Sequence, residues 1–206
     1  MRDGFISTGC LRFAQGDVMQ GFVRAMVLSV AFSLLACQAA LADQPEANGN
    51  SGCAGEVGLP PPGLNEVQDP GLLAQAIGRP MQGKLCTGKV FRVTGYSGAQ
   101  VQVYRVWDAS KPYTAYGSWW SFDPPLGPRD VYRQANEICP AWSALNKVSR
   151  CTVKVGAEIV VGPGQSAVCD NALSYPVSPV NQVFIPNDLN HDQLAVENCT
   201  VEGDWP

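Results

Sequence analysis

The sequence predicts a small, mainly β domain of the α+β class with one main helix, stapled by disulfides. Three observations lead there. From Leu85 onward, short runs rich in Val, Ile, Thr and aromatic residues alternate with Gly, Pro, Ser and Asn turn signals. A single amphipathic run interrupts them after Pro128. Of the eight cysteines, Cys10 and Cys37 fall in an apolar leader, and Cys53, Cys86, Cys139, Cys151, Cys169 and Cys199 follow it. An even number in an exported chain reads as three disulfides, and spacing alone leaves their pairing open.

Residues 1–42 read as a signal segment. The run from Arg24 has a basic start, an apolar stretch too short for a comfortable membrane span, and Ala40-Leu41-Ala42 as a small-residue cleavage site before Asp43. Leu34-Leu35-Ala36-Cys37 offers a second route, lipidation of Cys37. Either way the chain is expected to be secreted or periplasmic, with no transmembrane span once mature. Residues 43–84 form an N-terminal arm. Leu59-Pro60-Pro61-Pro62-Gly63 suits neither helix nor ladder, so the arm is expected to be loosely ordered and held through Cys53. Leu72, Leu73, Ala76 and Ile77 share a face, which allows a short helix from Pro70 to Ile77 or a plain turn.

The domain proper occupies residues 85–206. Strands are expected at Lys89 to Thr94, Gln100 to Trp107, Ser118 to Phe122, Val148 to Val155, Glu158 to Val161 and Gln182 to Pro186. The helix begins at Pro128, presents Val131, Ala135 and Ile138 on one face, and ends before Pro140. On the second strand Val101, Val103 and Arg105 share a face, so Arg105 is the one charge on an apolar surface.

Several chemistries are excluded or weakened. With 14 basic and 18 acidic residues there is no basic stripe for nucleic acid. No Cys-x-x-Cys pair offers zinc spacing, so no metal is expected. His191 is the only histidine and sits in a polar turn, which reads as surface. Asp123, Asp130, Glu137 and Glu158 are scattered and read as solvated carboxylates. What remains is arginine, serine, aromatic and amide groups. An arginine fork holds phosphate or ribose oxygens, an aromatic face stacks on a nicotinamide ring, and a polar group on the ribose hydroxyl steadies an oxocarbenium-like sugar.

The order Val103-Tyr-Arg-Val-Trp107, Gly117-Ser-Trp-Trp-Ser121, Pro125-Leu-Gly-Pro128, Pro140-Ala-Trp142, Val161-Gly162 and Asn181-Gln-Val-Phe-Ile-Pro186 resembles the C-terminal toxin domains of Rhs-type polymorphic toxins with an ADP-ribosyltransferase fold, of the elongation-factor-Tu-modifying type. The resemblance covers about Gln100 to Pro186. It implies NAD as substrate, with Arg105 as the NAD-contacting arginine of the first strand. It also implies Ser118 in the supporting second strand, Trp119, Trp120 or Tyr116 around the ring, and Gln182 where such enzymes carry the catalytic glutamate. A cognate immunity protein and a macromolecular ADP-ribose acceptor are implied partners. Gln182 can hydrogen bond a ribose hydroxyl but cannot deprotonate an acceptor. NAD-cleaving toxins of the tuberculosis-necrotizing-toxin type are similar in using glutamine there, so hydrolysis stands beside transfer. The rival expectation is a noncatalytic secreted module whose Trp119-Trp120 loop binds a partner protein or a glycan.

Overall fold

The computed structural model describes residues 52–170 and 172–205. The signal segment and Cys37 lie outside them. Two antiparallel sheets face each other across a common core. The larger has the order β1 (Leu64–Val67), β2 (Lys89–Val93), β6 (Glu158–Pro163), β9 (Asn181–Phe184) and β4 (Trp119–Trp120). The smaller has the order β10 (Val196–Asp204), β5 (Lys147–Val153) and β3 (Gln102–Trp107), and a hairpin joins β7 (Ala167–Val168) to β8 (Ser174–Tyr175). Between the sheets pack Phe91, Val103, Trp120, Val153, Val161 and Val183, all nearly inaccessible to water. These are the alternate inward residues that a period-two pattern sends to one face.

All six expected strands are present, with ends that coincide or shift by at most two residues, as fraying edges commonly do. Tyr104 and Ser121 exchange backbone hydrogen bonds of 2.7 and 2.9 Å. This isolated bridge ties the end of β4 to β3 and makes the corner where the two sheets meet. Alternation on β3 breaks at its end, where Val106 and Trp107 are both buried. Val106 turns into a second core with Leu145, Val148 and Trp205.

The N-terminal arm is more ordered than its proline run suggested. After Pro62 it supplies β1 to the large sheet, in register from Leu64 opposite Val93 to Val67 opposite Val90. Asn181 clamps it further, accepting from the Gly58 amide and donating to the Glu56 carbonyl, each at 3.0 Å. The short helix forms as α1 (Pro70–Ala76), with Asp69 accepting from the Leu72 amide as its N-cap. Its Leu72 and Ala76 cover Leu85, Val90 and Val160 on the outer face of the large sheet.

The main helix, α2 (Arg129–Ala135), follows Pro128. Its buried face differs from the expected one. Val131 is 56% exposed, whereas Arg133 is buried and Tyr132 packs edge-on to Trp205 with ring centroids 4.8 Å apart. Among the described residues three cystine bridges form, Cys53–Cys86, Cys139–Cys169 and Cys151–Cys199. They fasten the arm to the loop before β2, the turn after α2 to the β7 hairpin, and β5 to β10.

Candidate active site

A cavity of about 170 Å³ opens beside the corner of the two sheets. Arg105 and Val106 line it from β3, Trp119 and Trp120 from β4, Gln182 from β9, and Glu137 and Trp142 from the turn after α2. Four of the six residues singled out from the sequence therefore meet at one place.

Arg105 leaves the apolar face of its strand by bending toward the segment Pro112–Tyr116. Its Nε donates to the Thr114 carbonyl at 2.6 Å and its Nη1 to the Trp119 carbonyl at 2.5 Å. The guanidinium also lies 5.9 Å from the centre of the Trp120 ring, a cation–π contact. Burial lowers its pKa to about 10, so it remains a cation at neutral pH. Among the described residues no carboxylate forms an ion pair with it, in contrast to Arg92 and Arg150, which pair with Glu158 and Glu202. The site thus holds a desolvated positive charge with no negative partner among the described residues. Gly117 makes room for it: a Cβ there would fall 2.2 Å from Arg105 Nη2.

The two tryptophans are packed rather than displayed. Trp120 is 3% exposed, and Trp119 is half-buried, edge-on to Phe184 with centroids 5.2 Å apart. They do not form an exposed aromatic loop, which removes that basis for the binding-module expectation. Ser118 and Tyr116 do not line the cavity. The Ser118 carbonyl accepts from the Ile185 amide at 2.8 Å, a ladder contact. Tyr116 lines a separate cavity of about 200 Å³ beside the Cys151–Cys199 bridge.

Gln182 is buried, and its Nε2 donates to Glu137 Oε2 at 2.6 Å and to the Asn136 carbonyl at 3.2 Å. Glu137 corrects the sequence reading most sharply. It is 0% exposed, not solvated. Burial pushes its carboxyl up to about 8, while hydrogen bonds from Gln182 and Ser178 act in the other direction. Its Oε1 is buried with no hydrogen-bond partner. Gly164 admits the carboxyl, since a Cβ there would sit 2.0 Å from Oε2. Arg133 braces the same turn by donating to the Ile138, Cys139 and Ser143 carbonyls. No local signal in the sequence marks Glu137; its burial depends on Gly164 and Gln182, both distant along the chain.

A wider groove of about 730 Å³ adjoins the cavity, sharing Tyr132 and Asn136 with it, and is rimmed by Leu59, Pro124 and Leu126. His191 is exposed and lies 2.6 Å from Asp188, away from both openings. Among the described residues no cluster of three or more His, Cys, Asp or Glu side chains is arranged to hold a metal, and no helix is long and apolar enough to cross a membrane. No family model, curated protein or solved structure matches the chain, so its own geometry is the ground for a functional reading.

Proposed function

We propose that this domain has an ADP-ribosyltransferase-like fold, binds NAD and cleaves its nicotinamide N-glycosidic bond, with water favoured over a macromolecule as acceptor of the ADP-ribose. The observation that carries the reading is the convergence of Arg105, Trp119, Trp120 and Gln182 on one cavity from three separate strands. Its size suits a single aromatic ring, because a void of roughly 150 Å³ is enough to hold benzene. The nicotinamide ring enters it against the tryptophans, while the adenosine end lies outside along the adjoining groove. Arg105 lacks an anionic partner among the described residues and can supply charge to the pyrophosphate or the ribose oxygens.

Cleavage sends the electron pair of the sugar–nitrogen bond to the nicotinamide ring and leaves a positive, oxocarbenium-like ribose. Water then bonds to the anomeric carbon and releases a proton. Gln182 contributes an acceptor for a ribose hydroxyl, and the low-polarity pocket keeps its dipole effective. A secreted module that binds a partner protein is the second reading, favoured by the apolar rim of the groove, where Leu126 is 77% exposed. The two readings part in one assay. Oxidised protein incubated with NAD is expected to release nicotinamide, and Arg105→Ala and Gln182→Ala to slow that release by roughly 100-fold or more. Wild-type protein that neither releases nicotinamide nor binds NAD would leave the module reading.

A further inference from the structure

Glu137 is unfavourable where it stands on three counts. It occupies the left-handed region at φ 48°, where a residue other than glycine is strained. That position follows the C-cap Asn136 of α2 and closes the helix by a bond of 2.9 Å from the Ile138 amide to the Arg133 carbonyl, a geometry that ordinarily selects glycine. Once ionised, above about pH 8, a carboxylate at a helix C-terminus also opposes the helix dipole. Finally, the side chain is wholly buried with one oxygen unbonded. A glycine would relieve all three, so the side chain has a task other than stability.

Its contact with Gln182 shows what the task is. An amide side chain has two chemically different ends, and only the nitrogen can donate. Gln182 meets two acceptors, Glu137 Oε2 at 2.6 Å and the Asn136 carbonyl at 3.2 Å. The backbone carbonyl accepts whatever the protonation state of Glu137, so the pair of acceptors fixes the nitrogen inward. The amide oxygen takes no hydrogen bond among the described residues, is not sealed off as Glu137 Oε1 is, and belongs to a side chain that lines the cavity.

We propose that Glu137 is a positioning residue that locks the Gln182 amide with its oxygen toward the cavity, so that the site presents a hydrogen-bond acceptor to a ligand hydroxyl. The inference rests on the NAD reading only for the identity of that ligand. Glu137 acts through Gln182, since its own free oxygen is shielded. The polar side chains acting on it are Gln182 on β9 and Ser178 before β9; Tyr132 on α2 and Arg105 on β3 line the same cavity, and Arg133 on α2 donates to the carbonyls of Ile138 and Cys139 in the same turn.

The test pairs a readout of the amide with a readout of activity. In wild-type protein the Gln182 side-chain amide resonances, followed by NMR, should shift with pH around a midpoint near 8 as Glu137 ionises. Glu137→Gln should abolish that titration. Glu137→Gly should keep the protein folded, because the strained φ is relieved, and should lower kcat for NAD cleavage roughly tenfold with KM changed less than about twofold. Glu137→Gln, which retains an acceptor oxygen, should recover most of that loss. Gln182 resonances that ignore both pH and substitution overturn the proposal, as does a Glu137→Gly enzyme with wild-type kcat. If the resonances titrate but NAD is neither bound nor cleaved, the locked amide stands and the NAD reading falls.

Discussion

Arg105 and Glu137 line the same cavity from different walls, and each occupies room that a glycine leaves, Gly117 for the guanidinium and Gly164 for the carboxyl. Their burial is handled differently. Arg105 is given two carbonyl oxygens and an aromatic face, so it loses some basicity yet keeps its charge. Glu137 is given the Gln182 amide as a donor at one oxygen and none at the other, and its carboxyl rises to about 8, above neutral pH. A buried group retains its charge where dipoles are arranged around it and surrenders it where they are not. The cavity consequently has one cationic wall and one wall that is neutral below its titration point.

The largest expected effect separates the walls by their fastening. The Cys139–Cys169 bridge holds the Glu137 turn alone, closing a loop with a sequence separation of 30. Replacing both cysteines by serine should lower stability in urea by about 3 to 4 kcal/mol on loop-closure entropy. An unchanged unfolding midpoint would mean that the native protein does not depend on that bridge.

Next come the two glycines. Neither Gly117 nor Gly164 has a positive φ, so alanine strains no backbone and meets first the side chain it displaces. Each substitution should destabilise by about 2 kcal/mol, the usual range for overpacking. Gly117→Ala should also weaken NAD binding, whereas Gly164→Ala should disturb Gln182 first. Equal effects of both variants on NAD affinity would erase the distinction between the walls.

The most gradual effect is the pH slope. Glu137 binds its proton more tightly folded than unfolded, since its pKa rises from 4.5 to about 8. Its stabilising contribution is full below 4.5 and declines as pH climbs toward 8, by about 1.4 kcal/mol per pH unit. Comparing urea unfolding of wild type and Glu137→Gln at pH 5, 6.5 and 8 should show this slope in the former and not in the latter. Parallel curves would place the titration elsewhere.

The strands were legible because their apolar period is two, and the six expected ones carry most of both sheets. β1 and β10 were not, for physical reasons. Leu64–Val67 follows a proline run that masks it, and Val196–Asp204 is largely exposed, so it lacks an apolar stripe. The helix face was misjudged because Arg133 buries itself by satisfying three carbonyls, which hydrophobicity alone does not announce. Within the site, Arg105 stood out as a charge on an apolar strand and Gln182 through resemblance. Glu137 was read as solvated because lone carboxylates usually are; its burial is a tertiary fact, made by a glycine and an amide brought in from other strands.

The strand order 1-2-6-9-4 carries a kinetic consequence. Trp119 and Trp120 are synthesised early in the domain, yet β4 finds its ladder partner only in β9, with Trp119 opposite Phe184. That pairing must close a long loop, and non-local contacts of this kind form late and slowly. The tryptophan wall therefore cannot be completed on a chain still emerging from the ribosome or threading through an export channel. Whatever the cavity binds, it binds only after the second half of the domain has arrived, so ligand capture reports on finished folding.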